Sequence, residues 1–366
     1  MTMRPPLQWL QPAFHPAYAR LLCTMIRVRG GDVTQLLAGT GLSWEALMED
    51  NRGISFVRIR QIIRAAQQVS QTPALGLVLG SATQAAAHGA PGYAALAARD
   101  VAQALALLSS YARLRTSALE LRLLAFDERD AFCRIQLREL FDLGDVRMFI
   151  LEATLVVIVR LLEAMLGQRL PQLEYCLPWP APAWAGEYAA HLDGRCRFDA
   201  AGLEIRLPAA LLHAPCLTFD AAALTSARKD CEVALAQLAR ADDITHQVRL
   251  RFLDCEGDYP DCPAMAARLN MSVRTLVRKL AKQGSSYQML LDEARKESAQ
   301  WYLQHTDYPV ERIAERLGYR DTSNFSRCFR RWFGVTPKQM RDGSYANSTS
   351  NATTLRSLRE NSTPII

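Results

Sequence analysis

Arg327, Arg330 and Arg331 lie among Phe325, Phe329, Trp332 and Phe333 in NFSRCFRRWFGVTP, residues 324–337. A guanidinium keeps its charge and presents five donors in a flat fork, which suits phosphate oxygens or the O6 and N7 atoms of guanine. The apolar residues recur at i, i+4, i+7 and i+8, which predicts a helix with one face on a core and the cations on the other. Such a stripe alone is also what a plain packing helix shows, with its charges merely solvated. Whether these cations meet a ligand depends on the elements around them.

Charge along the chain is uneven. Of 43 Lys+Arg and 37 Asp+Glu in 366 residues, 15 basic and 7 acidic groups fall in 262–341, a net of +8. The other 28 basic and 30 acidic groups leave −2 for the remainder. A surplus concentrated near one end points to an anionic partner there, and nucleic acid is the commonest.

The same region contains an internal duplication. AARLNMSVRTLVRKL (266–280) aligns with AERLGYRDTSNFSRCF (314–329). Ala266 pairs with Ala314, Arg268 with Arg316, Leu269 with Leu317, Asn270 with Gly318 and Met271 with Tyr319. After one inserted residue, Leu276 pairs with Phe325, Arg278 with Arg327 and Leu280 with Phe329. Each copy predicts a short helix, a tight turn and a second helix. Asn270 and Gly318 accept left-handed backbone at the first helix's end. Ser272 and Asp321 cap the second helix, and the small Ala266 and Ala314 let the paired helices cross closely. This is the helix-turn-helix plan, twice. SYQMLLDEARKESAQWYLQH between the copies predicts one rigid helix from Tyr287 to Gln304, roughly 27 Å long. That strut would place the two second helices about one DNA turn, roughly 34 Å, apart.

Residues 245–341 closely resemble the DNA-binding domain of the AraC/XylS family of bacterial transcription regulators. The resemblance rests on MSVRTLVRKLAKQGSSYQMLLDEARKESAQWYL and DYPVERIAERLGYRDTSNFSRCFRRWFGVTPKQMR, where Leu317-Gly318-Tyr319, Phe325, Arg327, Phe329, Trp332-Phe333-Gly334 and Pro337 fall at signature positions. Counting from Asp321, Thr322, Ser323, Ser326 and Arg327 project on the free side near the helix start, where base edges are met. The matching positions of the first copy are Arg274, Val277 and Arg278, which the resemblance assigns to base contact. Any of these could instead meet a phosphate, since half or more of contacts go to the backbone. Ser272, Lys282, Arg330, Arg331 and Lys338 are the candidate phosphate contacts, while Arg268 and Arg316 sit on supporting helices and are weaker candidates.

The N-terminal portion loosely resembles the effector domains of the same family, through a helical start and HGAPGYAA at 88–95. Residues 1–14 look like a loose arm, and helical patterns run from Pro16 to Leu107. ALELRLLAFDERDAFCRIQL (118–137) reads as a β-hairpin turning at Asp127–Asp130. A greasy helix at 148–166 follows; Glu152, Arg160 and Glu163 interrupt it, so it reads as buried rather than membrane-spanning. A short strand at 172–179, a helix at 182–192 and strands within 195–208 follow. An alanine-rich helix, 221–239, leads to the polar RADDITHQ, which reads as a linker.

The expected organisation is thus an α+β effector-sensing and dimerisation domain (1–220), a linker helix and linker (221–243), an all-α domain of two helix-turn-helix units (244–341) and a disordered tail (342–366). The resemblance implies double-stranded DNA, RNA polymerase, a small-molecule effector and a second copy of the chain as partners, with activation the expected output. His88, Tyr93, Tyr111, Arg113 and Arg115 are candidate effector residues.

Nine cysteines without a C-x-x-C pair and six histidines without ligand spacing give no metal, cofactor or disulfide framework. Scattered cysteines and the lack of a secretory leader fit a reducing cytoplasm. No G-x-S-x-G and no Cys–His motif suggests catalysis, so the expectation is a regulator and not an enzyme. A ligand-independent regulator controlled by oligomerisation, an enzyme carrying a DNA-binding tail and an architectural DNA binder remain the rival readings.

Overall fold

A computed structural model of the chain describes residues 6–49, 51, 53–124, 131–255 and 257–342. The hairpin turn at 127–130 and the tail beyond 342 lie outside the described residues.

The N-terminal region opens with helix Leu7–Leu10 and strand β1 (Pro12–Phe14), which pairs antiparallel with β2 (Ile54–Ser55). The expected loose arm is therefore anchored over 6–14. Trp9 and Leu10 are buried, and the Trp9 indole N–H donates to the Asp142 carbonyl at 2.8 Å. Helices Pro16–Val28, Phe56–Ser70, Leu75–Ala82 and Val101–Tyr111 follow the predicted helical stretch.

The mixed half holds a five-stranded sheet built from β3 (Leu119–Leu124), β4 (Phe132–Glu139), β5 (Glu174–Cys176), β6 (Arg195–Arg197) and β7 (Leu203–Pro208), in the order β3-β4-β7-β5-β6. Alternation fixes the register: Cys133, Ile135 and Leu137 of β4 are buried opposite Leu207, Ile205 and Leu203 of β7. β6 does not pair with β7, its neighbour in sequence; β5 sits between them and pairs parallel with β6. The greasy stretch is helix Arg147–Leu166. It packs along Leu75–Ala82, where a Cβ on Gly80 would lie 2.6 Å from Val156 Cβ. Its buried charges are answered locally. Glu163 pairs with Arg160 at 2.6 Å, and Glu152 accepts from the Tyr188 hydroxyl at 2.6 Å and the Trp184 indole at 3.3 Å. No helix among the described residues is long and apolar enough to cross a membrane.

RADDITHQ is not an open linker. Helix Ala221–Ala241 runs through a π-helical turn, Asp242–His246, straight into helix Gln247–Leu253. Adding a turn is cheaper than breaking the helix here, because Val248 and Phe252 just beyond it are fully buried.

Candidate nucleic-acid interface

The two units repeat the same turn and the same cap on their second helix. The first comprises helices Cys262–Arg268 and Val273–Lys282, the second Val310–Arg316 and Thr322–Phe333. Asn270 (φ 53°) and Gly318 (φ 73°) take left-handed backbone at matched turns. Met271 N–H reaches the Ala266 carbonyl at 3.0 Å, and Tyr319 N–H reaches the Ala314 carbonyl at 3.0 Å. The Ser272 hydroxyl accepts from Thr275 N–H at 3.2 Å; the Asp321 carboxylate accepts from Asn324 N–H at 2.6 Å. Both caps satisfy amides that the helix start leaves orphaned.

Packing decides which face is left over. Leu276 and Leu280 are buried in the first unit, and Phe325, Phe329, Trp332 and Phe333 in the second. Phe329 lies 4.5 Å from Phe333 and 5.6 Å from Phe325, centroid to centroid. The opposite faces carry exposed Arg274, Val277 and Arg278 on one helix and exposed Ser323 and Arg327 on the other. Thr322 and Ser326 are half-buried, because they flank the aromatic stripe. Ser272, Lys282, Arg330, Arg331 and Lys338 are exposed around these faces. Such a surface offers two sets of guanidinium donors backed by rigid helices, with an apolar contact at Val277, which is 49% exposed.

The strut is helix Tyr287–His305, capped by Ser286. Arg295 on it lies between the rings of Tyr259 (4.9 Å) and Tyr319 (4.8 Å), clamping the second unit's turn to the strut. Arg316 stacks on Tyr308 (5.0 Å) and Tyr302 (5.7 Å). Sequence reasoning gave Arg295 no role. Its signal was a tyrosine, Tyr319, in the turn where the first copy has Met271.

The strut's outer face is not solvated. Glu297, Ser298, Ala299, Gln300, Trp301, Tyr302 and Leu303 are all buried. Buried Arg249 donates to Glu293 at 3.1 Å, to Glu297 and to the Leu10 carbonyl at 2.6 Å, and Arg60 reaches His305 at 3.0 Å. The strut and helix Gln247–Leu253 are thereby docked on the N-terminal helices.

Of the effector candidates, the structure brings His88 and Arg115 together around Tyr18. The Tyr18 hydroxyl is hydrogen-bonded to His88 Nδ1 at 3.0 Å, and the Arg115 guanidinium lies 5.1 Å from the Tyr18 ring. Burial, and then Arg115, push the His88 pKa down to about 4. Tyr111 is buried, whereas Tyr93 and Arg113 are exposed. Burial raises the Cys23 thiol to about 12 and Cys196 to about 11, and Cys176 also rises, which disfavours the thiolate at those three positions.

Comparison with known proteins matches both regions. Residues 30–216 fit the model described as the arabinose-binding domain of AraC transcription regulator, N-terminal, and residues 265–343 fit a helix-turn-helix domain model. The ornithine utilization regulator of Pseudomonas aeruginosa is 31% identical over 340 residues, covering 93% of this chain and 99% of that one. An uncharacterised HTH-type transcriptional regulator of Mycobacterium tuberculosis is 26% identical, covering 89% of this chain and 95% of that one. Among solved structures, the transcriptional regulator CdpR from Pseudomonas aeruginosa aligns over 93% of this chain and 100% of its own, at 21% identity and a TM-score of 0.44. With its tandem helix-turn-helix units and its matched N-terminal domain, the chain belongs to the AraC family of DNA-binding transcription regulators.

Proposed function

We propose that Arg274, Val277 and Arg278 of the first unit and Thr322, Ser323, Ser326 and Arg327 of the second read base edges in two successive major grooves. Ser272, Lys282, Arg330, Arg331 and Lys338 hold phosphates. One observation carries this reading: the arginines paired by the duplication, Arg278 and Arg327, are both exposed on helices whose opposite faces are buried. A guanidinium so placed can take guanine bidentately. Nuclease protection on promoter fragments tests it. The expected result is a discrete footprint with two protected stretches about one helical turn, roughly 10 base pairs, apart. Unstructured, sequence-independent protection would refute it.

In this reading residues 1–220 sense a small-molecule effector and support dimerisation, 221–243 connect, and 244–341 bind DNA and contact RNA polymerase to activate transcription in the cytoplasm. In this reading the chain acts without catalysis. Effector control is supported by the docking of the strut onto the N-terminal helices, which gives a ligand a physical means of shifting the reading units. The first amino acid to add to the footprinting assay is ornithine, given the similarity to an ornithine utilization regulator.

A further inference from the structure

The loop 38–43, between helices Val33–Leu37 and Trp44–Glu49, lies against the C-terminal end of helix Thr322–Phe333. A Cβ on Gly41 would sit 3.4 Å from the Trp332 carbonyl oxygen. Between them opens a cavity of about 600 Å³, walled by Arg27, Leu42 and Trp44 on one side and by Trp332 and Phe333 on the other. That volume suits a small organic molecule, and the walls are mainly apolar and aromatic.

Arg27 is the one cation in the lining, and Glu45 the one anion. The Arg27 guanidinium stacks over the Trp44 ring at 4.9 Å. Among the described residues it has no carboxylate partner. Stacking fixes the plane of the guanidinium and leaves its edge donors free, the geometry that takes a carboxylate bidentately.

We propose that this cavity binds a small organic monocarboxylate, with its carboxylate on Arg27 and its aromatic or aliphatic body against Leu42, Trp332 and Phe333. Glu45 disfavours a second carboxylate on the ligand, and the apolar walls favour an uncharged body. The site is separate from the His88–Arg115 group. It deepens the effector part of the proposed function and rests on it, because the ligand would touch both the N-terminal helices and the helix that carries Arg327. The cavity wall is also tied to the strut: the Gln61 side-chain amide donates to the Ala38 carbonyl at 2.8 Å, and Gln61 accepts from Gln300. A ligand that fills the gap stabilises the docked arrangement over any other.

Isothermal titration of the full chain, without DNA, with benzoate, indole-3-acetate and octanoate tests this. At least one should bind saturably at one site per chain. Its Kd should weaken at least about tenfold in Arg27→Ala and recover in part in Arg27→Lys. Arg27 is exposed, and matching thermal melts for the variants certify their fold. No saturable heat from any of the three at millimolar concentration overturns the proposal, as does binding that Arg27→Ala leaves unchanged. A two-part footprint that persists while titration fails sinks this site alone and leaves the DNA-reading assignment standing.

Discussion

Gln300, in the middle of the strut, donates its side-chain amide to Gln61 Oε1 on helix Phe56–Ser70, and the contact is fully enclosed: Gln300 is 0% exposed and Gln61 8%. Arg58 approaches Glu297 at 3.9 Å beside it, and Trp301 stacks on His305 with centroids 5.1 Å apart. A helix built only to space two reading units would carry water-facing residues here. Polar pairs at a buried seam instead fix one register between the parts, since each donor left unpaired costs free energy. The orientation of Arg278 and Arg327 is therefore set from the N-terminal side as well as by their own units.

Replacing one partner of that pair tests the seam. Gln300→Leu leaves Gln61 Oε1 buried without a donor, which is expected to cost about 1–3 kcal/mol in urea unfolding. Gln61→Leu combined with Gln300→Leu should recover part of the loss, because the two side chains then leave no polar atom unmatched between them and only the Ala38 carbonyl loses its donor. A coupling energy of about 0.5–3 kcal/mol in the double-mutant cycle supports a direct contact. Simple additivity of the two single variants would mean the residues do not share a seam.

The aromatic stripe is a folding element, and its truncation should behave as one. Phe329 is fully buried between Phe325 and Phe333. Phe329→Ala is expected to destabilise the chain by about 3–5 kcal/mol, with DNA binding lost through unfolding. Asp321→Ala removes only the cap to Asn324 and should cost about 1 kcal/mol, leaving footprint positions unchanged at low temperature. Near-ultraviolet circular dichroism with temperature separates the two; equal effects would mean the stripe is not a core.

The helix-turn-helix units were legible because local rules agreed there: caps at Ser272 and Asp321, left-handed turns at Asn270 and Gly318, and a stripe every three to four residues all specify one geometry. The N-terminal half was legible as helices and strands but not in its pairing. Nothing local places β5 between β6 and β7; that follows from which faces Tyr175 and Ile205 bury together. RADDITHQ misled because a polar run reads as open chain, whereas buried Ile244, Val248 and Phe252 hold it in a helical path. The seam was invisible for a related reason. Glu297 and Gln300 look like ordinary strut surface until Arg249 and Gln61 arrive from distant sequence. The cavity at Arg27 likewise needs residues some 300 positions apart, and no periodicity reports that.

Acid should weaken the fold through its buried histidines. His88 is held down to about 4 by burial and by Arg115, and His15 to about 4 by burial, Arg115 and Arg20. The unfolded chain takes up these protons near pH 6.5 and the folded chain only near 4. Between those values the unfolded state binds more protons, so the stability present above pH 6.5 is lost as pH falls towards 4. For His88, which is 6% exposed, the loss is expected to reach up to about 3 kcal/mol over that window. His88→Gln should flatten the pH profile of unfolding in part, with His15 and His305, also lowered by burial, supplying the remaining slope. A profile of unchanged steepness would mean that His88 titrates normally in the folded chain.

The paired arginines carry the sharpest expectation. If Arg278 and Arg327 each read a base, then Arg278→Ala and Arg327→Ala should relax sequence preference at one position each, about one helical turn apart, with about 1–3 kcal/mol of discrimination lost at that position. Lys338→Ala, at an exposed cation beside the second unit, should instead weaken binding on every sequence and lower the salt dependence by about one counterion. Competition against a randomised site library, read at two salt concentrations, distinguishes the outcomes. Because both arginines are exposed and neither lies in a core, the variants keep their fold, and a loss of preference is not confounded with unfolding. If both arginine variants merely weaken binding uniformly, as the lysine variant should, the two faces grip the backbone without reading it, and base selection falls to Arg274, Val277 or the half-buried hydroxyls of Thr322 and Ser326.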